Sequence, residues 1–131
     1  MQRWRRSRAE SGVAVVDFVL VSLVLVPLVL GLIQVGLTLY VRSTLAAAAT
    51  EGARYGATLG HGPADGVARA RAQFRGVVGE RFVRAVSADF VDHAGLLTVE
   101  VRVAAAIPPL GLWGPAVSLE VVGHGVRETV P

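Results

Sequence analysis

Few side chains in this sequence are placed to do chemistry, and the most unusual is a single acid. Asp17 is the one charged residue in the 29-residue apolar run Val13–Val41. At the centre of a membrane span a carboxylate costs about 2.5–3.5 kcal/mol. Asp17 instead lies five residues after Gly12, near the start of the run, where water lowers that cost and a helix N-terminus favours negative charge. The other candidates are weaker. His61, His93 and His124 lack metal-ligand spacing and have no cysteine to help them, so no metal site is expected. Ser11, Ser22, Ser43, Ser87 and Ser118 sit in no G-x-S-x-G elbow. Asp89 and Asp92 could pair as carboxylates, but strand-end polarity accounts for them. No Gly-rich loop follows a strand and opens a helix, so there is no phosphate cradle and no cofactor is expected. These absences point away from an enzyme.

The run that carries Asp17 is long enough to cross a bilayer, whose core of about 30 Å takes roughly 20 apolar helical residues. It follows a leader with four arginines, Arg3, Arg5, Arg6 and Arg8. Basic residues close to a span stay cytoplasmic. The leader carries those four against Glu10, whereas Arg42 and Arg54 face Glu51 on the far side. The N-terminus is therefore expected inside, with the C-terminal part outside and Tyr40 as an interfacial aromatic. A cleavable secretory signal has an apolar region of about 7–15 residues. This run is about twice that, although Ala46–Ala49 could offer a cut site.

Composition narrows the rest. The chain has 131 residues, no cysteine, 13 basic residues that are all arginine, and a mean hydropathy of +0.55. Disulfides and thiolate chemistry are excluded. The pI near 10.5 suggests nucleic acid, but beyond Val41 nine arginines face eight acids and no basic patch interleaves with aromatics. No nucleic-acid partner is expected.

The local order Arg8, Ala9, Glu10, Ser11, Gly12, Val13, Ala14, Val15, Val16, Asp17, Phe18 resembles a type IV prepilin processing site. In that family a prepilin-type peptidase cuts on the cytoplasmic side after a glycine that follows a basic leader. The fifth mature residue is an acid, usually Glu, and an aromatic often follows. The resemblance implies a cut between Gly12 and Val13, with Asp17 fifth and Phe18 sixth. Asp in place of Glu is a departure, one methylene shorter. Cutting would expose the Val13 α-amine, whose ordinary pKa is near 8. In an apolar bundle that amine needs a partner, and a carboxylate one turn along, in the same helix or a neighbour, can provide it.

The resemblance continues beyond the span. Residues 37–57, and above all Ala49-Thr50-Glu51-Gly52-Ala53-Arg54-Tyr55, resemble the TadE-like family of pseudopilins or minor pilins in tight-adherence (Flp-type) pilus systems. Asp17-Phe18 matches that family's early acid–aromatic pair, and Arg127-Glu128 fits weakly a terminal Arg-Glu pair. What the resemblance implies is a non-enzymatic assembly component. Its partners would be other pilin-like subunits, the pilus assembly platform, a prepilin-type peptidase and membrane lipid. On residue types alone, 42–59 is Ala-rich and free of Pro, so it can extend the helix outward. Gly52-x-x-x-Gly56 has close-packing spacing, or equally marks a helix fraying toward Gly60-His61-Gly62-Pro63. Glu51 and Arg54 could pair within the helix at about 0.2–0.5 kcal/mol.

The outer part reads as a helix over 64–80, with Val67, Ala70, Phe74, Val77 and Val78 as its apolar stripe. A strand over 82–91 places Phe82, Val86, Ala88 and Phe90 on one face, interrupted at Arg84. Asp92–Gly95 is a turn. A strand over 96–104 alternates Leu97, Val99, Val101 and Val103 with Thr98, Glu100 and Arg102. A Pro/Gly loop with Trp113 follows, expected to pack over the sheet edge, then a last strand with Val117, Leu119 and Val121 on one face. The expected fold is α+β, with a long N-terminal helix and a small three-stranded antiparallel sheet covered by helix. The expected layout is a cytoplasmic leader 1–12, a transmembrane helix 13–41, a helix extension 42–59 and a small extracytoplasmic domain 60–131. The leading function is a pseudopilin-like component held in the bacterial cytoplasmic membrane, with incorporation into a surface pilus left open. The rivals are a single-pass protein whose outer domain binds a ligand or cell wall, and a small protein released at Ala46–Ala49.

Overall fold

One continuous helix sets the frame. In the computed structural model, which describes residues 3–110 and 114–130, helix α1 runs Arg3–Ala57, 55 residues. At about 1.5 Å per residue it is roughly 80 Å long. The anchor and its extension are therefore one rod, with Pro27 inside it. It ends where Thr58 turns back on Tyr55: its hydroxyl donates to the Tyr55 carbonyl at 2.7 Å, and Gly60 takes a φ of +81°.

Helix α2, Pro63–Phe74, starts with Pro at its first position, where the missing N–H costs nothing. The Asp65 carboxylate reaches back to accept the Gly62 N–H at 2.9 Å. This helix is shorter than the apolar pattern over 64–80 predicts. Arg75 is extended and Gly76 has a φ of +77°, so the chain leaves the helical path; Glu80 then accepts the Gly76 N–H at 2.7 Å. Val78–Phe82 forms a 3-10 segment instead.

Strands β1 (Val83–His93), β2 (Leu96–Ile107) and β3 (Val117–Val126) form an antiparallel sheet in the order β1-β2-β3. Ala94 and Gly95, with φ of 55° and 82°, make the two-residue hairpin, and Asp92 accepts the Gly95 N–H at 2.8 Å. The interruption predicted at Arg84 is a register break: Val83 pairs with Ala105 and Ala85 with Ala104. The extra residue puts Val83 and Val86 on the same, half-buried side.

Both helices cover one face of the sheet. From β2 that face contributes Val99, Val101, Val103, Ala105 and Ile107, all buried. From α1 it receives Val41, Leu45, Ala48, Ala49 and Ala53, and from α2 Ala70 and Phe74. Leu97, on the same face by alternation, lies at the strand's end and stays exposed. Phe90 is also exposed, with the Arg127 guanidinium 4.9 Å from its ring centroid. The expected position of Trp113 lies outside the described residues.

Backbones touch where α1 meets its neighbours. A Cβ on Gly52 would lie 2.5 Å from the Gly66 carbonyl oxygen, and one on Gly56 would lie 2.8 Å from that of Gly62. On β3, a Cβ on Gly123 or Gly125 would lie 2.3 Å from the Ala49 or Ala53 carbonyl oxygen. The Gly52-x-x-x-Gly56 spacing is thus used for close packing and not for fraying, and the close partner is α2 of the same chain.

Candidate functional site

Two groups of sequence-selected residues sit on α1, about 50 Å apart along its axis. The first is Gly12, Val13, Asp17 and Phe18. All lie within the helix and are exposed; Phe18 is 72% exposed. Glu10, Val13, Ala14 and Asp17 border one open notch on the helix surface. Val13 and Asp17 are four residues apart, one turn, and so share a face. The notch is lined by α1 residues alone, while Phe18 also lies at one end of the groove that Pro109 and Leu110 border. Arg3, Arg5, Arg6 and Arg8 lie along the same helix toward its start.

The second group is Glu51, Gly52, Ala53, Arg54 and Tyr55. Gly52 and Ala53 are buried against α2 and β3. Glu51 does not pair with Arg54 as the three-residue spacing allows. It pairs with Arg69 of α2 at 3.2 Å, because the tight Gly52–Gly66 contact brings that guanidinium alongside. Arg54 is exposed. Tyr55 holds the His61 ring at a centroid distance of 4.3 Å and has the Arg69 guanidinium 5.5 Å from its own centroid. His61 also meets the Thr58 hydroxyl at 3.1 Å. The weak Arg127-Glu128 match lands here too: the Glu128 N–H donates to the Ala57 carbonyl at 3.1 Å, closing the end of α1.

A third cluster escaped the sequence reading. On the sheet face turned away from the helices, Glu100 is 7% exposed although it belongs to the polar half of β2's alternation. Arg102 clasps its carboxylate in a charge-assisted hydrogen bond, and His124 Nε2 meets its other oxygen at 3.1 Å. Arg102 also lies 3.7 Å from Glu120. The Arg102 hydrogen bond is the chief cause that holds the Glu100 carboxyl below its ordinary value, against the opposing effect of burial; the His124 contact adds to it. The His93 and His124 rings sit edge-on, 5.5 Å apart. Alternation told which side Glu100 faces. That β1 and β3 flank the central strand and cover it was a tertiary fact. Among the described residues no group of three or more His, Cys, Asp or Glu side chains could hold a metal ion.

The apolar side chains of α1 from Val13 to Tyr40 are mostly exposed, more than half so for Val13, Leu23, Leu32 and Leu39. This one helix among the described residues is long and apolar enough to cross a membrane. Residues 12–54 match the family model described as TadE-like protein. The chain carries a TadE-like segment. The match takes in the first group and the second as far as Arg54, leaving out Tyr55, and stops before the outer helix and sheet. No curated protein and no solved structure matches the chain. The TadE-like family is pilus-related, so over those residues the chain is similar to pilin-like components of tight-adherence systems. That family is structural and not enzymatic. Ala46–Ala49, the alternative release point, lies inside the TadE-like helix, with Ala48 and Ala49 in the core. A cut there would strip Val41 and Leu45 from the packing that holds the sheet.

Proposed function

We propose that the protein is a pseudopilin-like assembly component, inserted with its N-terminus in the cytoplasm and its helix–sheet domain outside. A prepilin-type peptidase cuts it between Gly12 and Val13. The new Val13 α-amine and the Asp17 carboxylate then meet within the helix or between neighbouring helices, which fixes the stagger of subunits more than it adds stability. The observation that carries this reading is the placement of the TadE-like match. It falls on a helix whose apolar side chains from Val13 to Tyr40 are mostly exposed, with little of their surface covered by the described residues of the chain. Such a surface calls for lipid or other helices. The second group is used differently: Gly52 and Ala53 serve their own domain, which leaves Glu51, Arg54 and Tyr55 as the polar rim available to the assembly platform.

Mass spectrometry of the membrane-extracted protein tests the cut. A chain beginning at Val13 is expected; one beginning near Thr50 would overturn the anchored reading. Asp17→Ala should insert normally but recover less of its pilin-like partners on co-purification. Unchanged recovery would remove the charge-pair role.

A further inference from the structure

One polar side chain of the apolar run bonds the outer domain to α1, below the packing of Leu37 and Val41. Gln34 lies inside the apolar run, and both ends of its amide are used by the β2–β3 connection. Its Nε2 donates to the Pro108 carbonyl at 3.3 Å, and its Oε1 accepts the Leu110 N–H at 2.9 Å. These bonds join residues more than seventy positions apart and hold Pro108–Leu110 at the height of Gln34 on the rod.

That height can be placed against a bilayer. Val13 to Gln34 is 21 residues, about 32 Å of helix, and Asp17 to Gln34 is about 26 Å. The hydrocarbon core is about 30 Å thick. Any placement that keeps Asp17 at the cytoplasmic boundary therefore puts Gln34 at the outer one. Residues 35–41, assigned to the span by hydropathy alone, then pass through the headgroup layer, with Val41 already in the domain core. The connection at that height is apolar. Leu110 is 45% exposed, and Pro109 and Leu110 continue the open apolar groove formed on α1 by Val26, Pro27, Leu30 and Gly31.

We infer that the Pro108–Leu110 turn is a second membrane contact, seated in the outer leaflet at the hydrocarbon–headgroup boundary, with acyl chains filling the groove beneath it. The Gln34 amide lets the turn lie there, because it satisfies backbone groups that lipid could not. The domain would then rest on the membrane at a fixed height and tilt. The inference assumes that α1 spans the bilayer, as proposed above.

The test uses the full chain with Trp4 and Trp113 changed to Phe, reconstituted in phosphatidylcholine vesicles. Single indoles are introduced by Leu110→Trp, Leu28→Trp or Phe90→Trp, and lipids brominated near the headgroup or near the acyl terminus act as quenchers. Leu110→Trp should lose about half its emission to the shallow quencher and less to the deep one, given its place at the hydrocarbon edge. Leu28→Trp should respond most to the deep quencher, and Phe90→Trp to neither. Adding Gln34→Ala should weaken the quenching of Leu110→Trp. If Leu28→Trp is quenched and Leu110→Trp is not, the turn stands off the membrane and the inference is wrong. If its emission is blue but follows protein density and ignores both quenchers, a second copy covers the groove, and the inference is equally wrong. If Leu28→Trp is itself unquenched, the spanning helix fails, and this inference falls with it.

Discussion

Gly52 of the long helix and Gly66 of the second helix meet backbone to backbone. A Cβ on Gly52 would lie 2.5 Å from the Gly66 carbonyl oxygen, and a Cβ on Gly66 would lie 2.9 Å from that of Gly52. The contact is reciprocal and neither side can yield, since the obstructing atoms belong to helix backbone. Gly52→Ala is therefore expected to destabilise the outer domain by about 1–3 kcal/mol, although alanine is the better helix former. Gly36→Ala is the control, because a Cβ there meets nothing within 4 Å. Thermal unfolding of the detergent-solubilised chain should show a lower midpoint for the first and none for the second. Equal midpoints would mean that α2 can move away freely.

Gly123 carries the same argument to the sheet. Its added Cβ would fall 2.3 Å from both the carbonyl carbon and oxygen of Ala49. Gly123→Val should push β3 away from α1 and expose the Val101–Val103 face, with a loss of at least about 3 kcal/mol. Amide exchange of β2 and β3 would read this directly as lost protection. A wild-type exchange pattern in the variant would show that the approach is looser than it appears.

The Glu100 carboxylate gives a signed pH dependence. Its folded pKa is depressed, chiefly by the Arg102 hydrogen bond, from an ordinary value of 4.5. Its contribution to stability is therefore complete above 4.5 and disappears as pH falls through the lower folded value. Denaturant midpoints of the wild type and Glu100→Gln, followed from neutral pH downward, should start apart and converge in acid. Parallel curves would show that the clasped carboxylate adds nothing to folding.

Glu51 separates folding from assembly. Its pair with Arg69 has both side chains more than two-fifths exposed, so solvent screens it and Glu51→Ala should cost no more than about 1 kcal/mol. If the TadE-like segment presents Glu51 to the assembly platform, that variant should still fold and insert but recover less platform protein on co-purification. Full recovery would confine Glu51 to its intramolecular pair.

Much of this was readable from residue order. The unbroken apolar run gave the rod, the Ala-rich and Pro-free stretch after it gave the extension, and Val99, Val101 and Val103 alternating with Thr98, Glu100 and Arg102 gave the central strand and its buried face. Local turn chemistry was readable too, as at Asp92–Gly95. The motif residues Glu51 to Tyr55 were picked out, but their neighbours were not.

What one-dimensional order could not hold is which surfaces meet. Gly52 and Gly56 had the spacing for a close approach, but only the folded chain chose α2 as the partner over another subunit. Glu51 turned from Arg54 to Arg69 because helix packing set that distance. Glu100 became buried because β1 and β3 flank it on both sides and Arg102 and His124 close over its carboxylate. Nothing in the local sequence around Gln34 shows that the β2–β3 connection comes down upon it. Helix and strand periods are local, set by hydrogen bonds and side-chain spacing a few residues apart. Packing between elements depends on distances across the chain that no local period encodes.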